Sequence, residues 1–337
     1  MKGNKPLRFL LILLVLTGTQ YSMTVVSAQD PQLSQFYSAP LYLGPSFAGS
    51  AGVPRLGMNF RSQWLQLPQS FLTTSFFADK YIEKYKLGAG LSIMYDDAAG
   101  LMNSLYLSTQ YSYRISINQK WHLVPGIQAQ FFSKRINSNA LIFSDQIVNG
   151  RVLPGGSIET IDNEKYHHFD FAVSGLVFTD NIWLGITGNH LMKLNQNIPA
   201  QQEYAPFMFS AYGGIMFDML SRAHITKTEK NITLAFHYKT QERIHQLDLG
   251  LYHTNAPFII GIWYRGIPLI SNTETKDALT LLAGYQTGSL SFAYSYDLTM
   301  SRLINTTGGS HEISVNYKFE NQQSKRKKIR AIPCPQF

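Results

Sequence analysis

Three shortages constrain this chain before any motif is considered. Cys334 is its only cysteine, so no intrachain disulfide can form. After residue 28 no apolar run reaches the roughly 18 residues that a membrane-spanning helix needs. Charged residues make up only 15% of the chain, against about 25% in an average soluble domain. These shortages exclude a disulfide-stapled domain and a helical membrane protein, and they argue against a soluble secreted domain.

The net charge of +8 arises mainly at the two ends of the chain. Lys2, Lys5 and Arg8 stand near the N-terminus, and a second group of cations stands near the C-terminus: Lys325, Arg326, Lys327, Lys328 and Arg330. The long central part is close to neutral, so it offers no basic groove of the kind that binds nucleic acid. We therefore expect no nucleic-acid partner.

The first residues have the order of a secretion signal. The basic cluster is followed by an apolar run at 9–16 and by the small residues Val26, Ser27 and Ala28. This order predicts a signal peptide over 1–28 with cleavage after Ala28. The apolar run is too short to anchor the chain, because a hydrocarbon core is about 30 Å thick.

Polarity alternates with a period of two near the C-terminus. Bulky residues occupy the even numbers in 290–296 and the odd numbers in 311–319. Period two places each set on one face of a strand. In this hairpin the pattern predicts that one face contacts lipid, through Phe292, Tyr294, Ile313 and Val315. The other face is predicted to line a polar lumen, through Ser291, Ser295, Glu312 and Asn316.

The same alternation recurs along the mature chain, at about ten residues per segment. Fourteen candidate strands lie at 57–66, 70–80, 86–96, 104–116, 120–134, 167–179, 182–190, 206–219, 231–240, 244–254, 257–266, 278–287, 289–298 and 311–319. Short and long connections alternate, except that the connection at 220–230 is longer than its neighbours predict. The sequence thus predicts an all-β, antiparallel transmembrane β-barrel of about 14 strands over 57–319, in the outer membrane. A soluble β-sandwich or propeller is the alternative, which the low charge disfavours.

Residues 29–56 precede the barrel and contain four prolines, so a long helix is not expected there. The segment also holds four aromatic residues: Phe36, Tyr37, Tyr42 and Phe47. The lumen of a fourteen-stranded barrel is too wide for its own side chains to fill. We expect this segment to fold into the lumen as a plug. The alternative is a periplasmic arm that becomes ordered on a partner.

The pattern of titratable residues does not indicate an enzyme. Alternation places His168 and Asp170 on one face, beside His167, which is reminiscent of a base with its orienting carboxylate. No serine elbow or carboxylate pair accompanies them. Asp96 and Asp97 offer an incomplete set of calcium ligands. We expect no catalytic residue, no cofactor and no metal site.

Two segments resemble the signatures of one family, PorP/SprF, and they bracket the mature chain. The N-terminal signature contains Asp30, Pro31, Ser34, Gln35, Phe36, Leu43, Pro45, Phe47 and Gly49. The C-terminal signature contains Tyr294, Tyr296, Asp297, Gly309, His311 and Glu312. The stretch 261–265 and the C-terminal 333–337 also fit. Gly44 and Ser46 depart from the family pattern, where asparagine and alanine are usual.

The resemblance implies an outer-membrane component of the type IX secretion system that acts as a scaffold or docking protein. The implied partners are the secretion machinery, linked to gliding or to its periplasmic part, and secreted adhesins that carry C-terminal sorting domains. Residues 320–337 then form a basic periplasmic tail and a candidate partner-docking site, the alternative being a solvated charge run. A passive porin or solute transporter is the competing function.

Overall fold

The computed structural model of the 337-residue chain describes residues 30–67, 70–137, 140–148, 151–152, 157, 165–192, 206–219, 230–242, 244–266, 278–300, 308–319 and 331–334. Within those ranges no helix has both the length and the apolar character needed to cross a membrane. The predicted signal peptide, its predicted cleavage point and the five cations near the C-terminus lie outside the described residues.

Fourteen long strands make up the body of the protein. They are β1 Arg55–Gln63, β2 Phe71–Ile82, β3 Leu87–Ala98, β4 Met102–Tyr113, β5 His122–Ile136, β6 Lys165–Phe178, β7 Ile182–Asn189, β8 Met208–Asp218, β9 Lys230–Gln241, β10 Ile244–Asn255, β11 Phe258–Arg265, β12 Ala278–Thr287, β13 Leu290–Thr299 and β14 Ser310–Lys318. Two-residue strands also occur, at Ile115–Ser116, Ile147–Val148 and Arg151–Val152.

The strands form a closed ring. Each pairs antiparallel with the next along the chain, and β1 pairs with β14, with Arg55 opposite Lys318 and Gln63 opposite Ser310. Closure satisfies the backbone N–H and C=O groups of every strand and leaves no sheet edge in the membrane. The predicted antiparallel barrel of fourteen strands is therefore confirmed.

Strand boundaries agree with the prediction to within three residues, and the differences have local causes. The first strand begins at Arg55 rather than 57, and it stops before Trp64, whose φ of 59° turns the chain out of the extended conformation. Strands β3 and β4 both extend further toward each other than predicted. Ala99 and Gly100, with φ of 57° and 69°, join them in a tight turn.

Side chains alternate between the two faces of the wall as period two requires. On β14, Glu312 and Ser314 are each 1% exposed, whereas Ile313 is 51% exposed on the outer face. The same sorting holds on β13, where Ser291 and Ser295 point inward. The polar inward face and the apolar outward face predicted for this hairpin are confirmed.

The two ends of the barrel differ in their connections. Short turns join β2 to β3, β6 to β7, β10 to β11 and β12 to β13 at the same end, where β1 begins and β14 ends. Outer-membrane barrels place short turns in the periplasm and long loops outside. We call these the periplasmic end and the outer end.

A charge on the lipid-facing side should destabilise the barrel in a depth-dependent way. Leu281 is exposed near the middle of β12, and Leu281→Arg should cost about 2–4 kcal/mol of folding free energy in lipid vesicles. Met300→Arg, just beyond the outer end of β13, is the matched control and should cost about 0–1 kcal/mol. Urea titration of both variants checks this. Equal effects at the two sites would contradict a lipid-facing Leu281.

Candidate functional site

The N-terminal segment, defined here as residues 30–54, packs against inward-facing side chains of the barrel. It contains the short helix α1 Pro40–Leu43 and a 3-10 turn at Pro45–Phe47. Both elements begin with proline, which fits a first helical turn but prevents a longer helix. From 33 to 50 every residue except Tyr42 is buried.

The segment descends from the outer end toward the periplasmic end. Asp30 contacts His190, which follows the outer end of β7. Farther along, the amide of Asn316 donates to the carbonyl of Ser38. At the periplasmic end, Arg55 at the start of β1 donates to the hydroxyl of Ser50 (3.0 Å). The contacts therefore cover nearly the full height of the wall.

A group of buried charges, here called the luminal ion cluster, holds the first part of the segment. It consists of Arg61, Asp248, Arg265, Asp297 and Glu312. Arg61 lies 2.7 Å from Asp297 and 3.3 Å from Glu312, and Arg265 lies 3.5 Å from Asp248. Charges this deeply buried are tolerated only when they are paired and hydrogen-bonded.

The segment completes this cluster through Ser34. Its backbone N–H donates to Glu312 Oε2 (2.6 Å), and its hydroxyl donates to Asp297 Oδ2 (2.5 Å). Arg61 and Arg265 in turn donate to the same hydroxyl oxygen, at 2.5 and 3.1 Å. One serine thus bonds with four charged side chains from four different strands.

Gln35 extends the contact onto the face of the closing hairpin. Its backbone N–H also donates to the carboxylate of Glu312 (3.2 Å), and its amide donates to Ser295 Oγ (3.0 Å) and to the carbonyl oxygen of Glu312 (2.8 Å). Ser314 donates to Gln35 Oε1 (2.6 Å). Every hydrogen-bonding group of this fully buried glutamine side chain is therefore used.

A second anchor holds the end of the segment near the periplasm. The guanidinium of Arg55 binds both carboxylate oxygens of Asp79 at 2.9 and 3.0 Å, and the N–H of Gly49 donates to the same carboxylate (2.8 Å). Gly49 has a φ of 70°, and a Cβ there would lie 3.0 Å from the Cα atoms of Tyr81 and Gly88. Only glycine fits this position without strain.

A third anchor holds the start of the segment at the outer end. The two ring nitrogens of His190 donate to Asp30 (2.7 Å) and Asp170 (2.6 Å). Burial lowers the pKa of His190, but the two carboxylates outweigh burial and raise that pKa to about 10. His190 is therefore a cation between two anions at neutral pH.

Aromatic side chains fill the space between the anchors. Phe36 lies with its ring centroid 4.9 Å from that of Trp263, and Phe47 lies 5.5 Å from Tyr212. Tyr37 meets Trp183 edge-on at 5.9 Å. The segment and the wall thus share one apolar cluster.

Two strand glycines give the segment room to approach the wall. A Cβ on Gly88 would fall 1.9 Å from the carbonyl oxygen of Ala48, and a Cβ on Gly126 would fall 2.4 Å from the nitrogen of Ser46. By contrast, a Cβ on Gly175 would meet nothing within 4 Å. The backbone of the segment therefore touches the backbone of the wall at β3 and β5.

The structure joins some of the predicted site residues and separates others. Ser34 and Gln35 of one signature meet Asp297 and Glu312 of the other. Phe36, Leu43 and Phe47 enter the shared apolar cluster, with Pro45 buried beside them and Pro31 half-buried.

The remaining residues of the C-terminal signature lie away from the segment. Tyr294 faces lipid, and its hydroxyl pairs with His311 Nδ1 at 2.7 Å. Tyr296 donates to the carbonyl of Gly308, and Gly309 has a φ of 71°. These contacts belong to the outward face of the hairpin and to the turn at its outer end.

Several residues of the anchors were not identified from the sequence, namely Arg55, Arg61, Asp79, His190 and Asp248. Arg61 and Asp79 each carried a detectable signal, because a charge stands there at an inward position of a strand with only one other charged residue. His190 had no such signal, since it is the last residue of the predicted strand 182–190 and lies just beyond the observed β7.

Asp170, which the sequence pattern placed beside His168 as an orienting carboxylate, pairs with a different histidine. Asp170 binds His190 rather than standing free beside His168. Asp96 accepts from Thr73, and Asp97 accepts from the N–H of Gly100 in the tight turn. Among the described residues, no group of three or more histidine, cysteine, aspartate or glutamate side chains is arranged to hold a metal ion.

The closed barrel, its lipid-facing outer surface and its polar inward face define an integral outer-membrane β-barrel protein. The chain belongs to the PorP/SprF family, because the family model for the type IX secretion system membrane protein PorP/SprF matches residues 25–317. It is therefore a membrane component of type IX secretion. No curated protein is similar enough to match the chain.

Several solved barrels share part of this architecture. The Ralstonia pickettii toluene transporter TbuX has 9% identity and a TM-score of 0.49, with 84% of this chain and 94% of that chain covered. The CymD monoaromatic hydrocarbon channel has 12% identity and a TM-score of 0.48, over 84% and 93%. A Pseudomonas aeruginosa FadL homologue has 13% identity and a TM-score of 0.42, over 82% and 95%.

Neutralising Glu312 should loosen the N-terminal segment. Glu312→Gln keeps the shape but removes one of the two anions beside Arg61 and the negative charge that two backbone N–H groups donate to, and loss of one partner of a buried pair costs up to about 3–5 kcal/mol. We expect faster protease cleavage within 30–54 while the barrel still migrates as folded. Glu83→Gln, on an exposed periplasmic turn, is the control and should change little. Unchanged cleavage in Glu312→Gln would contradict the anchoring role.

The His190 anchor should weaken as the pH rises from about 6.5 to about 10. A histidine whose folded pKa is raised stabilises the fold below its unfolded pKa, near 6.5, and loses that contribution as the pH rises through about 10. The stability difference between the wild type and His190→Gln should therefore be largest near pH 6.5, shrink steadily as the pH rises from about 6.5, and be lost by about pH 10. Urea titrations of both proteins across this range measure it. A difference that does not vary with pH would rule out a charged His190.

Proposed function

We propose that this protein is a closed scaffold of the type IX secretion system, which docks secreted adhesins with C-terminal sorting domains at the outer end and machinery at the periplasmic end. The proposal rests on one observation above all. Ser34 and Gln35 near the start of the mature chain are bonded to Asp297 and Glu312 of the closing hairpin, across the inside of the barrel.

The three anchors support a lumen that the N-terminal segment closes. They act at different heights and on different strands, with His190 on the outer side, the luminal ion cluster between, and Arg55 with Asp79 near the periplasm. Opening a solute path requires breaking buried ion pairs at several levels. A porin needs no such arrangement, so the observed contacts favour a role in docking over passive transport.

A closed lumen leaves the two ends of the barrel as the surfaces for partners. At the outer end, the loop between Ile136 and Lys165 joins the two longest strands, β5 and β6. We infer that this loop contacts the secreted cargo. At the periplasmic end, the short turns and the basic residues 325–330 are the inferred contact with periplasmic machinery. The role inferred here is non-catalytic.

Closure of the lumen is tested by conductance in planar bilayers. The wild type should give no steady conductance. Gly88→Ala should produce openings, because the new Cβ would fall 1.9 Å from Ala48 O and displace the segment. Gly175→Ala is the matched control, since its Cβ meets nothing within 4 Å, and it should stay closed. A steady open conductance in the wild type would support transport instead of docking.

Docking is tested by site-specific photocrosslinking in native envelopes. A crosslinker replaces Ser144 in the outer loop, Lys84 on a periplasmic turn, or Leu281 on the lipid face as the control, all exposed positions. We expect a secreted protein with a C-terminal sorting domain from the first position and secretion machinery from the second. The lipid-facing control should give neither. Recovery of the barrel alone from all three positions would contradict the docking role.

A further inference from the structure

Residues 331–334, close to the C-terminus in sequence, lie inside the barrel. The N–H of Phe319, after the end of β14, donates to the carbonyl of Pro54 at the periplasmic end (2.9 Å). Farther along the chain the structure describes residues 331–334, in which Ile332 is 2% exposed and Cys334 is 6% exposed. The sequence predicts one periplasmic tail over 320–337, and no feature of its composition indicates this burial.

The buried C-terminal residues contact both the N-terminal segment and the wall. The N–H of Ile332 donates to the carbonyl of Ser50 (3.3 Å). Ile332 and Cys334 belong to the apolar cluster that includes Phe36 and Tyr37 of the segment. The wall contributes five aromatic residues to this cluster: Phe178, Trp183, Tyr212, Tyr252 and Trp263.

We propose that the periplasmic half of the lumen contains a binding site for a short apolar peptide, and that its occupant is this chain's own Ala331–Cys334. The site has the chemistry for such a ligand. Rigid aromatic side chains supply a large contact area at a small entropic cost. In the occupant, Pro333 restricts the backbone before binding, which reduces the conformational freedom lost on docking.

Binding of residues 331–334 in this site also helps to hold the N-terminal segment in place. Ile332 binds the carbonyl of Ser50, next to Gly49, which the Arg55 and Asp79 anchor holds. The bound peptide therefore supports the segment from the periplasmic side. By linkage, release of the peptide weakens the hold on the segment, and loosening of the segment weakens peptide binding. This inference does not depend on the identity of any secretion partner.

The single cysteine of the chain provides a direct test in the full-length protein. Cys334 in the folded wild type should react with a maleimide at least about tenfold more slowly than in the urea-unfolded chain, because only opening exposes it. Ile332→Asp should remove this protection, since a charge does not fit the apolar cluster. Ala331→Asp places the same charge on the exposed neighbour and should keep it. Equal reaction rates in folded and unfolded wild type would overturn the proposal.

A peptide added in trans tests the site itself. Heat-dependent migration on a gel first establishes that Ile332→Asp is folded, and Ile332→Ser replaces it if it is not. A synthetic peptide with the sequence of residues 329–337 should then bind saturably and change the fluorescence of Trp183 and Trp263. The same peptide with aspartate at position 332 should not. No saturable change with the natural peptide would overturn the assignment of this site.

Discussion

The position of the N-terminal segment depends on the interactions of the Glu312 carboxylate. It accepts hydrogen bonds from the consecutive backbone N–H groups of Ser34 and Gln35, and it forms an ion pair with Arg61. A carboxylate buried in this way is stable only with several partners. Because Glu312 sits on β14 and Arg61 on the adjacent β1, the cluster lies at the point where the barrel closes. Closure of the wall and placement of the segment are therefore linked.

The width of the barrel explains why such an arrangement is needed. Fourteen strands enclose more space than inward side chains can fill, and an inward face rich in serine, glutamine and paired charges does not collapse on itself. The segment brings both apolar bulk, through Phe36 and Phe47, and hydrogen-bonding groups, through Ser34 and Gln35. It thus packs against the apolar part of the inward face and forms hydrogen bonds with the polar part. Glycines at the closest contacts allow this fit without distortion of the wall.

Much of the fold was predictable because the signal is local. In a strand that separates lipid from a polar lumen, apolar and polar side chains must alternate. The neighbouring residues Ile313 and Glu312 can therefore be assigned to opposite faces from the local sequence alone. The signature residues Ser34 and Glu312 were also identified from the sequence, but not their contact. His190 and Ile332 were not identified, because a histidine beyond a strand end and an isoleucine near a basic run carry no periodic pattern. Their roles come from partners far away in the chain.

The sequence by itself determined the class of protein, the strand order and the face of most inward and outward residues. These properties follow from the period of the strand and from the partition of each side chain between lipid and water. Only the tertiary structure decided which inward residues meet. Ser34 and Glu312 are separated by 278 positions, and Asp30 and His190 by 160. Contacts over such separations depend on how the wall closes and on the space left inside it, and neither is encoded in any local pattern.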